Sequence, residues 1–415
     1  MSEWKEVSLS ELGKTITGKT PSSQYPEDFG DEVPFITPSD SFEKKYISKS
    51  ERFLSRSGSE RLKDKIISSD SIMVTCIGSA MGKVAKNGLP SVTNQQINSI
   101  IVNEKFDSDY IYYLFKNNYA VFRNAASGST AIPILNKTDF DNLRFKVELD
   151  LNEQRKMVSI LSKIDDKIEI NNQINQELEA MAKILYDYWF VQFDFPDQNG
   201  NPYKSSGGKM SYNPELKREI PEGWGVVTLG DFESKIITGK TPSRANSDNF
   251  GGEIPFITIG DIRGNTFIYS TSESLTDLGA SVQQNKYLPE GSLCVSCIAT
   301  VGEIGFTTEW SHTNQQINSI VFEDETNRYY LYFALKNYFE NANASAKTGN
   351  TFANMNKEDF SGIRIILPNK EIKNNFHEIS EPYFAQIKCL QGQNQELTQL
   401  RDWLLPMLMN GQVII

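Results

Sequence analysis

The sequence has few of the residues from which disulfide-bonded, metal-binding or membrane-spanning proteins are built. Four cysteines in 415 residues give no disulfide framework, and the two histidines, His312 and His377, are too well separated to suggest a histidine-rich metal site. No run approaches the roughly 18 consecutive apolar residues that a membrane helix requires. The first residues, MSEWKEVSLSEL, lack the basic and apolar regions of a signal peptide. We therefore predict a cytoplasmic protein with no metal site and no membrane contact.

A positive net charge is also absent. The chain has 42 Lys and Arg against 53 Asp and Glu, which gives a net charge of −11. This excludes a uniformly cationic nucleic-acid-binding protein, but a local basic groove stays open because phosphate contact depends on the local field. At about 150 residues per domain, the length predicts two or three domains.

Two copies of one domain are present in the chain. Six segments of the first half recur in the same order in the second half, at a period of about 220 residues. ITGKTPS occurs at 16–22 and again at 237–243, and TNQQINSI at 93–100 returns unchanged at 313–320. This period is too long for a solenoid. Short apolar strand patterns and aromatic helical patterns in each copy predict an α+β class.

We predict five successive parts of the chain. A globular domain, a central spacer helix, a linker rich in Gly, Pro, Asn and Ser, a second globular domain and a C-terminal spacer helix with a tail follow one another. Their ranges are 1–150, 151–192, 193–223, 224–368 and 369–415.

The two spacer segments have heptad spacing, with apolar or seam residues at alternating steps of three and four. In the central segment these are Leu161, Ile164, Ile168, Asn171, Asn175, Leu178, Ala182, Leu185 and Trp189. In the C-terminal segment they are Ile379, Tyr383, Ile387, Leu390, Asn394, Leu397, Leu400 and Leu404. We predict an antiparallel coiled coil with Asn175 and Asn394 in its seam, and a C-terminal helix that ends near Pro406. The alternative is that each helix packs on its own domain.

No catalytic constellation is found in the sequence. Residues 13–20 fit the phosphate-loop pattern GxxxxGK[ST], but Pro21 follows directly and disfavours the helix that such a loop needs. Cys294 and Cys297 lie three apart in an apolar strand pattern and therefore point to opposite faces. They are expected to be buried core thiols.

Two classes of candidate contact residues follow from the repeat. Two similar domains joined by a helical spacer resemble twofold DNA readers, which bind two half-sites at a fixed distance. In such a reader, positions identical in both copies should build the scaffold or touch phosphate, which is the same in every DNA sequence, whereas positions that differ should read bases. The shared candidates are Lys19, Thr20, Ser22, Asn94, Gln95, Gln96, Ser129 and Thr130, with Lys240, Thr241, Ser243, Asn314, Gln315, Gln316, Asn350 and Thr351. The divergent candidates are Lys44, Lys45, Lys49 and Arg52 from a basic stretch over 44–65, and Arg263. For each set the alternative is an ordinary turn or a solvated charged surface.

Over nearly all of its length the chain resembles the specificity subunit of type I restriction–modification systems. The resemblance rests on two domains that each carry GKTPS, PFIT and TNQQINSI, on the FDFP segment after the central helix, and on NQELTQLRDWLLPMLMNGQV near the C-terminus. It implies a non-catalytic subunit with two target-recognition domains. Each domain would read one half of an asymmetric, bipartite site in double-stranded DNA, and the helices would set the gap between the halves.

The resemblance also implies partners. Two modification (methyltransferase) subunits would bind through the helices, and restriction (motor) subunits would join with them. S-adenosylmethionine, ATP and Mg²⁺ would belong to these partners, and no cofactor is expected in this chain. The residues expected to face partners are Ile170, Ile174, Met181, Tyr188 and Phe190. The alternatives are a duplicated protein–protein adaptor without DNA contact, a nucleotide-dependent enzyme, and a stand-alone DNA-binding regulator of transcription.

Overall fold

Two compact units make up the chain. A computed structural model describes residues 4–40, 42–47, 49–78, 81–125, 133–346 and 354–413. The first unit comprises residues 1–168 and 397–415, and the second comprises residues 169–396. Four of the candidate contact residues, Ser129, Thr130, Asn350 and Thr351, lie outside the described residues.

The first unit is built on three sheets within its described residues. The five-stranded sheet has the order Gly13–Thr17, Ile97–Val102, Ile72–Thr75, Val84–Asn87, Tyr46–Ile47. The four-stranded sheet has the order Phe29–Gly30, Arg52–Leu54, Val33–Ile36, Val92–Thr93, and Trp4–Ser8 pairs with Arg144–Glu148. The shorter elements are the helices Leu9–Leu12, Arg56–Arg61, Ser108–Asn117, Tyr119–Asn124 and Lys137–Asn142 and the 3₁₀ turns Pro26–Asp28 and Lys63–Lys65.

The second unit repeats this plan. Its five-stranded sheet has the order Ile236–Thr238, Ile317–Ile320, Leu293–Ser296, Ile304–Thr307, Phe267–Ile268. A three-stranded sheet has the order Glu273–Leu275, Phe250–Ile257, His312–Thr313, and Gly225–Thr228 pairs with Arg364–Leu367. Its shorter elements are the helices Leu229–Phe232, Ile259–Ile262, Asp277–Ser281, Arg328–Ala346 and Lys357–Ser361 and the 3₁₀ turns Ser247–Asn249, Gln284–Lys286 and Glu325–Asn327.

Equivalent strands therefore occupy equivalent places in the two five-stranded sheets, which confirms the predicted repeat and the mixed α and β class. The central strands form because they are short runs of β-branched and apolar residues, and Ile72–Thr75 and Leu293–Ser296 are buried along their whole length. An aromatic helix covers each sheet. Tyr110 through Phe115 are buried in the first unit, and Tyr329 through Phe333 are buried in the second.

Two long helices contribute to both units. The central helix runs over Leu151–Tyr186 and is followed by one π-helical turn, Asp187–Val191, while the C-terminal helix runs over Lys370–Met409. In the second unit Asn171 Nδ2 donates to Asn394 Oδ1 at 2.8 Å, and the Tyr186 ring lies 6.0 Å from the Phe376 ring. The paired segments are therefore antiparallel, and the alternative in which each helix packs only on its own domain is wrong.

The C-terminal helix ends at Met409, within one turn of Pro406 and so near the predicted end, but Pro406 does not terminate it. Leu405, Leu408 and Met409 are buried in the core of the first unit, and the helix continues to Met409. Burial of these side chains outweighs the loss of one backbone hydrogen bond at Pro406.

The segment predicted as a linker is folded. Met210–Asn213 and Arg218–Pro221 form a hairpin, and the Phe195 ring stacks on Trp224 with centroids 5.0 Å apart. Aromatic residues, which composition-based prediction of a loop undervalues, anchor this turn-rich segment on the core of the second unit.

Candidate functional site

In each unit the GKT turn lies against the NQQ turn. In the first unit the backbone N–H of Lys19 donates to the Thr93 carbonyl at 2.8 Å, and the Thr20 hydroxyl donates to Gln95 Oε1 at 2.6 Å. Gly18 is required for this approach, since a Cβ there would lie 2.2 Å from the Asn94 carbonyl oxygen. Two segments far apart in sequence are thereby joined into one polar surface.

The second unit builds the same surface. Lys240 N–H donates to the Thr313 carbonyl at 3.0 Å, and the Thr241 hydroxyl donates to Gln315 Oε1 at 2.6 Å. A Cβ on Gly239 would lie 2.1 Å from the carbonyl oxygen of Asn314. The agreement extends to the hydrogen bonds, so the shared motif encodes one geometry twice.

The shared candidates fall into exposed and internal residues. Lys19, Ser22 and Gln95 are exposed, and so are their counterparts Lys240, Ser243 and Gln315. Gln96 and Gln316 are half-buried. These residues are the part of the surface that can meet a ligand.

Asn94 and Asn314 are internal and serve the scaffold. Both are buried, and the Asn94 side chain accepts from the Gln96 backbone N–H at 3.1 Å while it donates to Gln96 Oε1 at 3.0 Å. Asn314 makes the same two bonds with Gln316. Their amides hold the turn in shape, because a buried amide must satisfy its polar atoms locally.

Lys45, predicted to contact DNA, is engaged inside the first unit. Its side chain is 11% exposed, and its Nζ binds Asp109 at 2.8 Å and Ser162 on the central helix at 3.2 Å. Lys86, which the sequence analysis missed, also binds Asp109 and lies 2.6 Å from Asp70. Lys45 therefore belongs to a partly buried ionic cluster with Lys86, which carboxylates distant in sequence complete.

Electrostatics stabilise this cluster. Burial by itself disfavours both charges, but the hydrogen bonds and opposite charges outweigh it, so the pKa of Lys86 is raised and that of Asp109 is lowered. Asp70 has a positive φ of 67° and accepts a hydrogen bond from the Tyr46 hydroxyl at 3.0 Å. The cluster links the five-stranded sheet to the central helix.

The other divergent candidates lie at the surface. Lys44, Lys49 and Arg52 are exposed in the first unit. In the second unit Arg263 is exposed, but its Nε lies 3.2 Å from Glu303 Oε1, so a carboxylate already balances its charge. At these candidate positions, exposed lysine and arginine side chains are thus more numerous in the first unit than in the second.

The predicted seam residues of the long helices are buried or half-buried, with two exceptions. The buried or half-buried residues are Ile164, Ile168, Asn175, Leu178, Leu185, Tyr383, Ile387, Asn394, Leu397 and Leu404. Ile379 and Leu400 were also predicted to lie in the seam, but they are 43% and 44% exposed, so this prediction is wrong for both residues. Ser380 and Arg401, one residue further on, are buried and half-buried instead, so Ile379 and Leu400 lie on the solvent side of the helix.

Exposed apolar side chains follow the outer faces of both long helices. On the central helix and its π-helical turn they are Ile160, Ile170, Ile174, Met181, Ile184, Tyr188 and Val191, and on the C-terminal helix they are Ile379, Leu400 and Trp403. Phe190, predicted to face a partner, is 2% exposed and belongs to the core of the second unit. The Phe190 ring packs on Tyr330 and Phe376, with centroid distances of 4.8 and 5.1 Å, so this prediction is wrong.

Clustered metal ligands are absent from the described residues, and their buried cysteines are not activated. They contain no group of three His, Cys, Asp or Glu residues that could hold a metal ion. Burial raises the pKa of Cys76 and Cys294 to about 12 and that of Cys297 to about 11, so these thiols stay protonated at neutral pH. No helix in the described part of the chain is both long and apolar enough to span a bilayer. The polar surfaces of the two units present lysine, hydroxyl and amide groups, which can donate or accept hydrogen bonds.

Comparison with known proteins gives a consistent family. The model of the type I restriction modification DNA specificity domain matches residues 1–180 and 221–399. The chain is 30% identical to the type I restriction enzyme HindI specificity subunit of Haemophilus influenzae over 484 positions, which cover all of both chains. It is 28% identical to the MjaIX specificity subunit of Methanocaldococcus jannaschii, over 99% of this chain and 94% of that one.

A solved structure supports the fold. The crystal structure of a type I restriction–modification S subunit from M. genitalium matches with a TM-score of 0.55 and 14% identity, covering 98% of this chain and 96% of the other. The family matches confirm the resemblance that the sequence motifs indicated.

Proposed function

Since the chain belongs to the family of type I restriction–modification DNA specificity proteins, we propose that it is the subunit that recognises DNA for a type I restriction–modification complex. Each unit reads one half of an asymmetric, bipartite site in double-stranded DNA. The chain itself is not catalytic, and its place of action is the cytoplasm.

One observation carries the proposal: one chain builds the same polar surface twice. Lys19, Thr20 and Gln95 in the first unit adopt the hydrogen-bonding pattern of their counterparts in the second. Phosphate is the same at every position of DNA, so a surface that is unchanged between two readers of different sequences suits the DNA backbone. The loops that differ around it suit the bases.

The chemistry of the surface fits phosphate. Lys19 is exposed and can neutralise a phosphate charge with release of counterions. The hydrogen bond from Thr20 uses the oxygen of the Gln95 amide, and the amide nitrogen is a donor that suits an acceptor such as a phosphate oxygen. Lys240, Thr241 and Gln315 offer the same groups in the second unit.

The long helices set the distance between the two half-sites in this proposal. A helix of 36 residues is about 54 Å long and one of 40 residues is about 60 Å long. Antiparallel pairing stiffens both, and the Asn171–Asn394 hydrogen bond fixes their register at one level. A bipartite site with a constant gap follows from such a spacer.

Two identical modification subunits are the partners that the helices suit. The exposed apolar residues occur at repeat-related positions: Met181 corresponds to Leu400 and Ile184 to Trp403, as the shared NQEL segments align them. Two equivalent surfaces on one chain suit two copies of one partner. S-adenosylmethionine belongs to these partners, and ATP and Mg²⁺ belong to the restriction subunits, which join the same complex. An adenine to be methylated leaves the duplex for the partner's pocket.

Sequencing of methylated adenines tests the proposal. DNA from cells that carry this chain with its modification subunit should show one two-part motif with a fixed number of unspecified bases between the parts.

Removal of one heptad from each long helix keeps the seam in phase and shortens both helices by about 10 Å. The gap should then fall by about three base pairs while both half-sites stay unchanged.

Two results would contradict the proposal. Methylation at a single uninterrupted motif would exclude two separate readers, and an unchanged gap in a folded heptad-deletion variant would exclude the spacer role. Assembly with the modification subunit but no sequence-dependent binding to DNA would favour the protein–protein adaptor instead.

A further inference from the structure

The two units differ in charge at one structurally equivalent position. In the first unit Arg52 lies opposite Phe35 on the neighbouring strand. In the second unit Glu273 lies opposite Phe256, which is the counterpart of Phe35 in the PFIT segments. Equal strand registers therefore place an arginine and a glutamate at the same point of the fold.

Arg52 is held in place by an aromatic ring. Its guanidinium carbon lies 3.8 Å from the centroid of Phe29 and 5.7 Å from that of Phe35. Among the residues that the structure describes, no carboxylate forms an ion pair with Arg52, and the side chain is exposed. A stacked guanidinium keeps its planar donors ordered and directed to solvent.

An arginine also lies over the equivalent ring of the second unit, but it comes from a different segment. The Arg244 guanidinium lies 5.1 Å from the Phe250 centroid. Its two terminal nitrogens each donate to a carboxylate oxygen of Glu273 at 2.8 Å, and these bonds lower the pKa of Glu273. The donor pair that Arg52 presents to solvent is therefore occupied in the second unit.

The short helix after each of these strands continues the contrast. Ser55 and Thr276 cap the two helices in the same way, each accepting a hydrogen bond from the glycine three residues further on. The first helical residue is then Arg56 in the first unit and Asp277 in the second. The local field around Arg52 is thus more positive than the field around Glu273.

We propose that Arg52 is a specificity-determining residue of the first unit, whose guanidinium reads the O6 and N7 acceptors of a guanine in the half-site bound by that unit. The second unit lacks this contact because Glu273 binds the equivalent guanidinium. The inference rests on the proposed function, and it adds the residue and the type of base that are read.

Two arguments favour a base over a phosphate. Phosphate contacts serve every sequence equally, so they should be common to both units, as the Lys19 and Lys240 surfaces are. Arg52 is not common to them, since the equivalent side chain has the opposite charge. A planar pair of donors held on a ring also matches the paired acceptors of guanine in the major groove better than it matches any other base edge.

The base preferences of an Arg52→Ala variant test the proposed contact between Arg52 and guanine. The chain, assembled with its modification subunits, is tested for binding to DNA in which each position of both half-sites is varied in turn. We expect the preference for guanine at one position of one half-site to fall roughly 10- to 100-fold, with the other half-site unaffected. Arg52→Lys keeps the charge but loses the planar pair of donors, so it should fail to restore the preference.

Arg244→Ala serves as the matched control. It removes the equivalent guanidinium, which Glu273 already occupies, and should leave all base preferences unchanged. Thermal unfolding verifies that the first unit stays folded in the Arg52 variants and that the second unit stays folded in Arg244→Ala.

Three outcomes would overturn the inference. An Arg52→Ala variant that binds all sequences more weakly, with a smaller salt dependence and with full rescue by Arg52→Lys, would show a phosphate contact. Unchanged binding would show no contact, and a loss in both half-sites would show an indirect effect. Failure of the wild-type complex to prefer any bipartite site would instead contradict the proposed function.

Discussion

His312 occupies in the second unit the position that Val92 occupies in the first. Both side chains are fully buried, and each residue lies opposite the phenylalanine of its PFIT strand. Neither ring nitrogen of His312 has a partner within the described part of the chain, and the Tyr287 ring lies 4.2 Å away. A buried polar group without a hydrogen bond destabilises the fold, so the first unit supplies the better residue for this site.

We expect His312→Val to raise the free energy of unfolding of the second unit by about 1–3 kcal/mol. The substitution should also remove the loss of stability that His312 causes as the pH falls. Burial lowers the pKa of His312 from 6.5 to about 4. Between these values the unfolded chain binds a proton that the folded chain does not, so the wild type loses stability as the pH falls. Urea unfolding at about pH 7.5 and about pH 5 measures both effects.

Val92→His is the matched control in the first unit. It should lower the stability of that unit and introduce the same loss toward acid pH. Equal stability of wild type and His312→Val at both pH values would mean that a water molecule or a partner satisfies the imidazole.

At the scale of elements, Asn394 and Asn175, which are repeat-related residues of the helix pair, differ in their hydrogen bonds. Asn394 donates to Asn172 and accepts from Asn171, both at 2.8 Å. Asn175 is the repeat counterpart of Asn394, but the counterpart of Asn171 is Leu390. Both polar atoms of the Asn175 amide accordingly lack partners among the described residues. The coiled-coil interpretation placed both Asn175 and Asn394 in the seam, while their different surroundings depend on the facing helix.

Replacement of asparagine by leucine should have opposite effects on the free energy of unfolding at positions 175 and 171. Asn175→Leu should raise the free energy of unfolding by about 1–2 kcal/mol, because it removes a buried amide without a partner. Asn171→Leu should lower it by a similar amount, because it removes the hydrogen bond that Asn394 Oδ1 accepts from Asn171 Nδ2. Chemical denaturation of the two variants side by side measures the difference, and a stabilising Asn171→Leu would contradict a register role for the Asn171–Asn394 bond.

At the scale of the whole molecule, the duplicated apolar surfaces predict the number of partners. Ile184 on the central helix is 69% exposed, and Trp403, its repeat counterpart on the C-terminal helix, is 60% exposed. Ile184→Asp or Trp403→Asp should each reduce the number of bound modification subunits from two to one, and the double variant should bind none. Native mass spectrometry of the purified complexes counts the copies.

Conservative variants control for loss of folding. Ile184→Leu and Trp403→Phe keep apolar surface and should retain both copies of the partner. Loss of both copies in a single Asp variant would show that the two surfaces do not act independently, and retention of two copies in the double variant would place the docking surface elsewhere.

Order along the chain was sufficient to reveal the duplicated domains, the long helices with their heptad phase, and the family. These features are periodic or contiguous, so each can be recognised in one stretch of residues without knowledge of its neighbours in space. The contacts of individual side chains could not be recognised in this way. Lys45 was predicted to contact DNA because it lies in a basic stretch, whereas Asp109 and Ser162 bind it in the interior.

Contacts between distant segments decided the rest. The register that sets Arg52 opposite Phe35, the Arg244–Glu273 pair and the partners of Asn394 each join residues that no local pattern connects. Strand and helix pairing bring such residues together, and a shift of one residue in a strand would move every side chain to the other face. Which charges are balanced, which amides are satisfied and which groups meet DNA is therefore a property of the folded chain, since electrostatic and hydrogen-bond energies depend on separation in space.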